Sequence, residues 1–507
     1  MARLDPAVRR LRRLDGTGPT GERDQYWRTL AALVVATVAT AAGLFVAPVS
    51  GPTGLLVMAV GGVVALLVLR SPVLALGVLV VASFLRLALQ VPGLPAEPMV
   101  LVLCLLIVSA FLYGLTGRAR FRFTGIEAAM TAYLLWNVAS MLMPHELPPI
   151  QPGTGQDIVV YRFILTGTVL PFAAFVVARA VLGGEDRVRR FLIFLVVPAV
   201  YSALVSVLQF TGPPQLVFPS YIVTDPSYPE RAVGVVNQPV VNGMIMVVGF
   251  VTAMMLAHHR SLSRNLRVVM LLSAVACIPG IYLTKTRAVW LVFGLSLVVC
   301  AVLSRPARRG FVTVLVAALL AIAVNWSSFT SSDRTEGGIA STNEVDDRLN
   351  SIATAVWAID EKPLLGWGIA RFAQVNAVYH QTWGPDVKFE RGYGIASHEN
   401  ELGIAAELGL FGLALWLGVA LPLTAALLRA LRRLPTGMLS GRPLGLIALT
   451  ALGVWVVTGF TADLRYFDFA NLITFTLIGA TVGASDRLRT RPRHPAAMAP
   501  EGLAVSR

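Results

Sequence analysis

Long apolar runs separated by short polar stretches repeat along almost the whole chain. They fall at 29–47, 54–69, 72–89, 99–115, 124–142, 160–180, 191–210, 237–257, 268–284, 288–303, 310–325, 402–428, 443–462 and 469–484. Each approaches or exceeds the roughly 18 residues needed to cross a hydrocarbon core of about 30 Å as a helix. One water-soluble core cannot absorb that many helices that are apolar all round. The pattern predicts an all-α integral membrane protein, a polytopic bundle of about 14 transmembrane helices with one large extracytoplasmic loop containing helices. Runs 54–69 and 72–89 are the weakest, and a re-entrant pair is an alternative for them. Run 29–47 follows some 28 polar, basic residues, which suits a retained signal anchor better than a cleaved signal.

Arginine orients the spans. Clusters occur at Arg9, Arg10, Arg12 and Arg13, then at Arg118, Arg120 and Arg122, and at Arg187, Arg189 and Arg190. Further clusters are Arg305, Arg308 and Arg309; Arg429, Arg432 and Arg433; and Arg487, Arg489, Arg491 and Arg493. With the N-terminus inside, every cluster falls on the cytoplasmic side, as the positive-inside rule requires. The expected organisation is a basic cytoplasmic N-terminus (1–28), transmembrane helices 1–11 (29–325), a large extracytoplasmic loop (326–401), helices 12–14 (402–484) and a disordered cytoplasmic tail (485–507).

The segment 326–401 is too long to be structureless. Val345, Leu349, Ile352, Val356 and Ile359 follow helical spacing, Asn343 is a candidate N-cap, and Pro363 ends the run. This helix is expected to lie across the outer mouth of the bundle.

Composition narrows the picture. The chain has 507 residues, 56% hydrophobic and only 14% charged, against about 25% charged in soluble domains. Its net charge of +14 sits in the inter-span arginine clusters, so it argues for topology and not for nucleic acid. Cys104, Cys277 and Cys300 all lie inside apolar runs and read as packing residues.

Candidate chemistry comes from polar residues where polarity is expensive. Lys285 and Arg287 sit in a short turn on the expected outer side, where the positive-inside rule should exclude them. They either snorkel to lipid phosphate or cradle a lipid-linked phosphate. Arg348 lies on the loop helix beside Asp346 and Asp347, in a surface ion pair or at a site. His398 lies in Ser397-His398-Glu399-Asn400-Glu401 at a helix start, as an N-cap neighbour or a general base. Arg162 and Arg231 also face outward, as structural residues or as added positive potential. The chain lacks an Asp-x-Asp pair on an early outward loop, a Walker-type phosphate loop and a His-Glu-x-x-His helix.

Three stretches resemble the O-antigen ligase and O-antigen polymerase superfamily. Thr284-Lys285-Thr286-Arg287-Ala288-Val289-Trp290 is similar to the family's Ser/Thr-x-Ser/Thr-Arg helix entry. Arg348 through Lys362-Pro363-Leu364-Leu365-Gly366-Trp367-Gly368 is similar to its Arg…Pro-Leu/Ile-x-Gly-x-Gly pattern. Ser397-His398-Glu399-Asn400 with Glu407-Leu408-Gly409-Leu410-Phe411-Gly412 is similar to its His-Asn…Glu-Leu-Gly-x-x-Gly pattern, although Glu399 intervenes before the Asn.

The resemblance implies a glycosyltransferase of the bacterial plasma membrane whose active site faces outside the cytoplasm. The donor would be a glycan on polyprenyl diphosphate, and the acceptor a hydroxyl of a glycan or glycolipid. Arg287 and Arg348 would hold the diphosphate, and His398 would take the acceptor proton, with inversion and with neither metal nor cofactor. Lys285, Arg231, Arg162, Glu399 and Asn400 would be substrate-binding positions. Polymerase-type chain extension shares these motifs. A transporter or a scaffold subunit remains an alternative from another class.

Overall fold

The structure, a computed structural model, describes residues 61–89, 97–331, 343–389 and 392–490. The expected basic N-terminus, the run 29–47 and the tail after Thr490 lie outside the described residues. The described chain is helical, apart from an isolated antiparallel bridge between Ile150 and Asp157.

The elements used below are α1 (Gly61–Arg70), α2 (Pro72–Phe84), α3 (Pro98–Leu115), α4 (Gly125–Leu142), α5 (Val160–Val181) and α6 (Glu185–Thr211). They continue with α7 (Pro239–Ala257), α8 (Arg264–Leu283), α9 (Arg287–Leu303) and α10 (Arg308–Val324). The loop contributes α11 (Asn343–Glu361) and α12 (Phe372–Tyr379), and the chain closes with α13 (Asn400–Arg433), α14 (Arg442–Gly459) and α15 (Asp468–Thr490). Seven of these, α3, α5, α6, α7, α8, α13 and α14, are long and apolar enough to cross a membrane; α1, α2 and α9 are apolar but shorter. The chain is a multi-pass membrane protein.

Helix α7 is buried on nearly all sides, packed against α6, α8, α9 and α14. Helix α15 runs along α5, where Gly479 and Gly483 allow backbone contact. A Cβ at these positions would lie 2.4 Å from the Phe175 carbonyl oxygen and 2.1 Å from that of Arg179. Small residues at such crossings let helices approach closely where lipid supplies no hydrophobic drive. Leu272, Val275, Leu291 and Val302 remain exposed on the outer flanks of α8 and α9, as lipid-facing positions would be.

Two boundaries depart from the apolar pattern. Run 72–89 stops being helical after Phe84, and just beyond it Arg86 pairs with Glu97 at 3.0 Å and with Asp468 at 2.9 Å. Run 402–428 belongs to the 34-residue α13, about 51 Å if straight and too long for one crossing. It breaks at Gly409 (φ 71°, ψ 176°), which leaves a stub at residues 400–408 before the membrane-spanning part. At the other end, α15 continues as helix to Thr490, past the residue where the tail was expected to begin.

The loop helix α11 spans Asn343–Glu361 and ends two residues before Pro363, as its spacing predicts. Helix α12 had no clear sequence signal. Both helices pack on the α13 stub around Ala355, Ala358, Trp367, Phe372, Val375 and Ala406.

Candidate functional site

The turn between α8 and α9 is locked by its own side chains. Thr284 Oγ1 donates to the Ile281 carbonyl at 2.7 Å, and Thr286 Oγ1 donates to the Thr284 carbonyl at 2.9 Å. Lys285 takes a left-handed φ of 44°, which tightens the reversal. Trp290, one turn into α9, donates from Nε1 to the Ile281 carbonyl at 3.2 Å and stacks on Tyr282 with centroids 5.6 Å apart. These contacts tie the start of α9 to the end of α8, so Arg287 is held at a fixed helix N-terminus. The Lys285 ammonium lies over the Phe210 ring at 5.9 Å, at the end of α6.

Arg231 reaches the same place through backbone contacts. Ala232 N–H donates to the Leu283 carbonyl at 2.9 Å, while Gln209 Nε2 donates to the Arg231 carbonyl at 2.9 Å. Its buried guanidinium lies over the Tyr228 ring at 5.2 Å. Arg348 arrives from α11. Together Arg231, Lys285, Arg287 and Arg348 line one cavity of about 350 Å³ with Val240, Thr286 and Ala288. Among the described residues no carboxylate lines it. Two unit charges 4 Å apart repel by about 4 kcal/mol at an effective dielectric of about 20. Four cationic side chains reach the wall of one cavity. Guanidiniums suit phosphate oxygens through their planar fork.

His398 is not among the residues that line this cavity. Its segment is nevertheless docked one helical turn from Arg348. Ser351 Oγ, on the Arg348 face of α11, lies 2.7 Å from the Ser397 carbonyl and 3.1 Å from the Ala396 carbonyl. His398 itself has a positive φ of 54°. Glu399 caps α13, its carboxylate accepting from the Leu402 N–H. Burial pushes the Glu399 carboxyl up to about 7. Asn400 is buried and accepts from the Leu464 N–H at 3.2 Å, so its amide holds the 463–466 turn. Arg162 sits in a separate network. It pairs with Glu97, which also meets Arg86.

Behind this segment lies a buried ion cluster that sequence reasoning passed over. Arg465 pairs with Glu407 at 2.7 Å and with Asp463 at 2.5 and 2.9 Å. Glu407 also accepts the N–H groups of Ala370 and Phe372, both at 2.9 Å. The Pro-Leu-Leu-Gly-Trp-Gly and Glu-Leu-Gly stretches are thereby two halves of one joint. Trp367 and Gly368 donate to the Ala406 and Glu407 carbonyls at 3.0 and 2.8 Å, and Leu410 N–H donates to the Pro363 carbonyl at 2.7 Å. Gly366 and Gly409 both have φ near 70°, and a Cβ on either would lie within 2.4 Å of the opposing backbone. A signal did exist in the sequence: Glu407 is an acid inside an apolar run, and Asp463 and Arg465 share a very short inter-span turn.

No curated protein matches the chain. Residues 270–417 match the family model described as O-antigen ligase, a stretch that runs from within α8 into α13 and contains Lys285, Arg287, Arg348, His398 and Glu407. Over this segment the chain is similar to the O-antigen ligase family.

Proposed function

We propose that the protein transfers a glycan from a polyprenyl diphosphate carrier to an acceptor hydroxyl at the outer face of the plasma membrane. The observation that carries this reading is the cavity in which Arg231, Lys285, Arg287 and Arg348 meet, one turn of α11 from the 397–400 segment. A diphosphate is already a good leaving group, so the step needs charge stabilisation more than a strong acid. Arg287 and Arg348 hold the diphosphate and stabilise the negative charge that grows as the sugar–phosphate bond breaks. Lys285 and Arg231 add positive potential at the same wall. His398 takes the proton from the acceptor hydroxyl as its oxygen attacks the anomeric carbon from the opposite face, which inverts the centre. The guanidiniums supply the positive charge that this mechanism requires.

The test is transfer by the purified chain reconstituted with a polyprenyl-diphosphate-linked glycan and a glycolipid acceptor. Arg287→Ala, Arg348→Ala and His398→Ala should each abolish transfer while the protein still inserts and elutes as folded. Wild-type transfer rates in these variants would refute the assignment. Product length separates single transfer from polymerase-type extension, as one addition or a ladder. Solute flux without glycan transfer would favour a transporter.

A further inference from the structure

The apolar stripe of α11 looks away from the protein. At about 100° per residue, Val345, Leu349, Ile352, Val356 and Ile359 fall within ~80° of one another on the helix. The side that packs on the rest of the chain is the opposite one, and it is polar or small: Asp347, Asn350, Ser351, Thr354, Ala355 and Ala358 are all buried. Asn350 accepts from the Trp383 N–H at 2.8 Å, Thr354 accepts from the Gln381 N–H at 3.0 Å, and Ser351 donates to the Ser397 carbonyl. In the stripe itself Val345 and Val356 are exposed, and Leu349, Ile352 and Ile359 are half-buried, with Ile359 touching the cluster around Trp367 from its edge. A helix on a water-exposed surface shows the reverse arrangement, its apolar face turned inward.

The two ends of α11 fix where that stripe lies. Arg348, near its start, reaches the cavity beside Thr286 and Arg287, at the junction of α8 and α9. Its last turn leads through Pro363 to α13, where the Leu410 N–H donates to the Pro363 carbonyl at 2.7 Å. The helix, about 28 Å long, therefore lies across the ends of the membrane-spanning helices. The apolar surface continues past its end. Leu364 and Leu365 are 69% and 54% exposed, and Gly409 lies against the peptide between them. Leu410 and Phe411, the next residues of α13, are exposed as well, at the start of its membrane-spanning part. Polar and aromatic groups mark the edge of this surface. Lys362 pairs with Glu146 at 2.9 Å and lies over the Trp367 ring at 4.0 Å, and Trp367 packs with Trp357 and Tyr379. Tryptophan and tyrosine gather at the level of lipid headgroups.

We propose that α11 is an interfacial helix, with its apolar stripe and the Leu364–Leu365 corner resting among the lipid chains of the adjoining leaflet. The occupant is lipid because the apolar surface runs on, through Leu364 and Leu365, into the exposed flank of a membrane-spanning helix. Arg348 stands at the edge of the stripe, next to Leu349, so the cavity it lines sits at headgroup depth. This assignment rests on the multi-pass fold and is independent of the glycan-transfer reading.

The experiment is electron paramagnetic resonance of the full chain in vesicles of phosphatidylethanolamine and phosphatidylglycerol, with a nitroxide on one introduced cysteine. Cys104→Ser removes the exposed native thiol, and Cys277 and Cys300 are buried. Labels at Val356→Cys and Leu365→Cys should be relaxed more by oxygen than by a water-soluble nickel chelate. Their oxygen-to-nickel ratio should match that of Leu421→Cys, on the exposed flank of α13, and exceed several-fold that of Thr382→Cys, in the loop. A ratio at Val356→Cys equal to that at Thr382→Cys places the stripe in water and overturns the proposal. So does a label that neither reagent reaches, because protein then covers the stripe, from this chain or from a second copy. Should the Val356→Cys chain fail to fold, a photoactivatable acyl chain in the same vesicles probes the unaltered protein. Tagging of peptides within 343–365 supports the proposal, and tagging confined to the membrane-spanning helices refutes it. Neither readout involves glycan transfer, so the two readings fail separately.

Discussion

Replacing Glu407 by Ala should be among the most damaging single changes in the chain. Its carboxylate is 1% exposed and holds three donors: Arg465 Nη1 at 2.7 Å and the N–H groups of Ala370 and Phe372 at 2.9 Å. Removing one partner of a buried ion pair costs about 3–5 kcal/mol, because the other charge stays behind. Each abandoned backbone N–H costs about 1–3 kcal/mol more if it stays dry. The 366–372 loop can shift toward water and recover part of that, so a loss of about 4–6 kcal/mol is expected for Glu407→Ala. Glu407→Gln keeps the volume and one acceptor oxygen and should lose about half as much. Denaturant unfolding of the purified protein, followed by tryptophan fluorescence, reads both values. Combining Glu407→Ala with Arg465→Met should cost less than the sum of the two alone, with a coupling of up to about 3 kcal/mol. An unfolding free energy for Glu407→Ala within about 1 kcal/mol of wild type would refute the account of the cluster.

Two further outcomes follow from the same region. Between about pH 4.5 and 7 the folded chain keeps a proton on Glu399 that the unfolded chain has released, because burial raises the carboxyl to about 7. This group's contribution to stability therefore falls as pH rises through that window and is constant above it. Glu399→Gln should flatten the slope in thermal melts across the window, and an unchanged slope contradicts the assignment. Gly409→Ala places a methyl 2.0 Å from the Leu364 carbonyl oxygen at a φ of 71°. The backbone strain alone is about 1–3 kcal/mol, so this variant should melt well below wild type, and melting together with it would exclude the joint described between Pro363 and Leu410.

The helices were legible because a bilayer imposes length and apolarity on each crossing, and α3 through α10 begin and end within a few residues of their apolar runs. Lys285 and Arg287 stood out for a similar reason, as cations where topology disfavours them. What the sequence could not give was pairing at long range. Position along the chain groups Arg162 with the mouth, yet its partner is Glu97, 65 residues earlier. Helix α12 lacks a long periodic face and depends on Trp367 and the α13 stub for its burial. The Glu407–Arg465 pair joins residues 58 apart. Each of its members is visible in the sequence as a charge in an apolar setting, but spacing alone does not show that two such charges answer each other.

The break at Gly409 divides labour within one continuous helix. Residues 400–408 are hydrogen-bonded to the loop and to the 463–466 turn, whereas the remainder buries Trp416, Val419, Leu423 and Leu427 within the bundle. The chain changes direction where a missing side chain lets the Leu364 carbonyl come close, so one helix meets two different sets of neighbours.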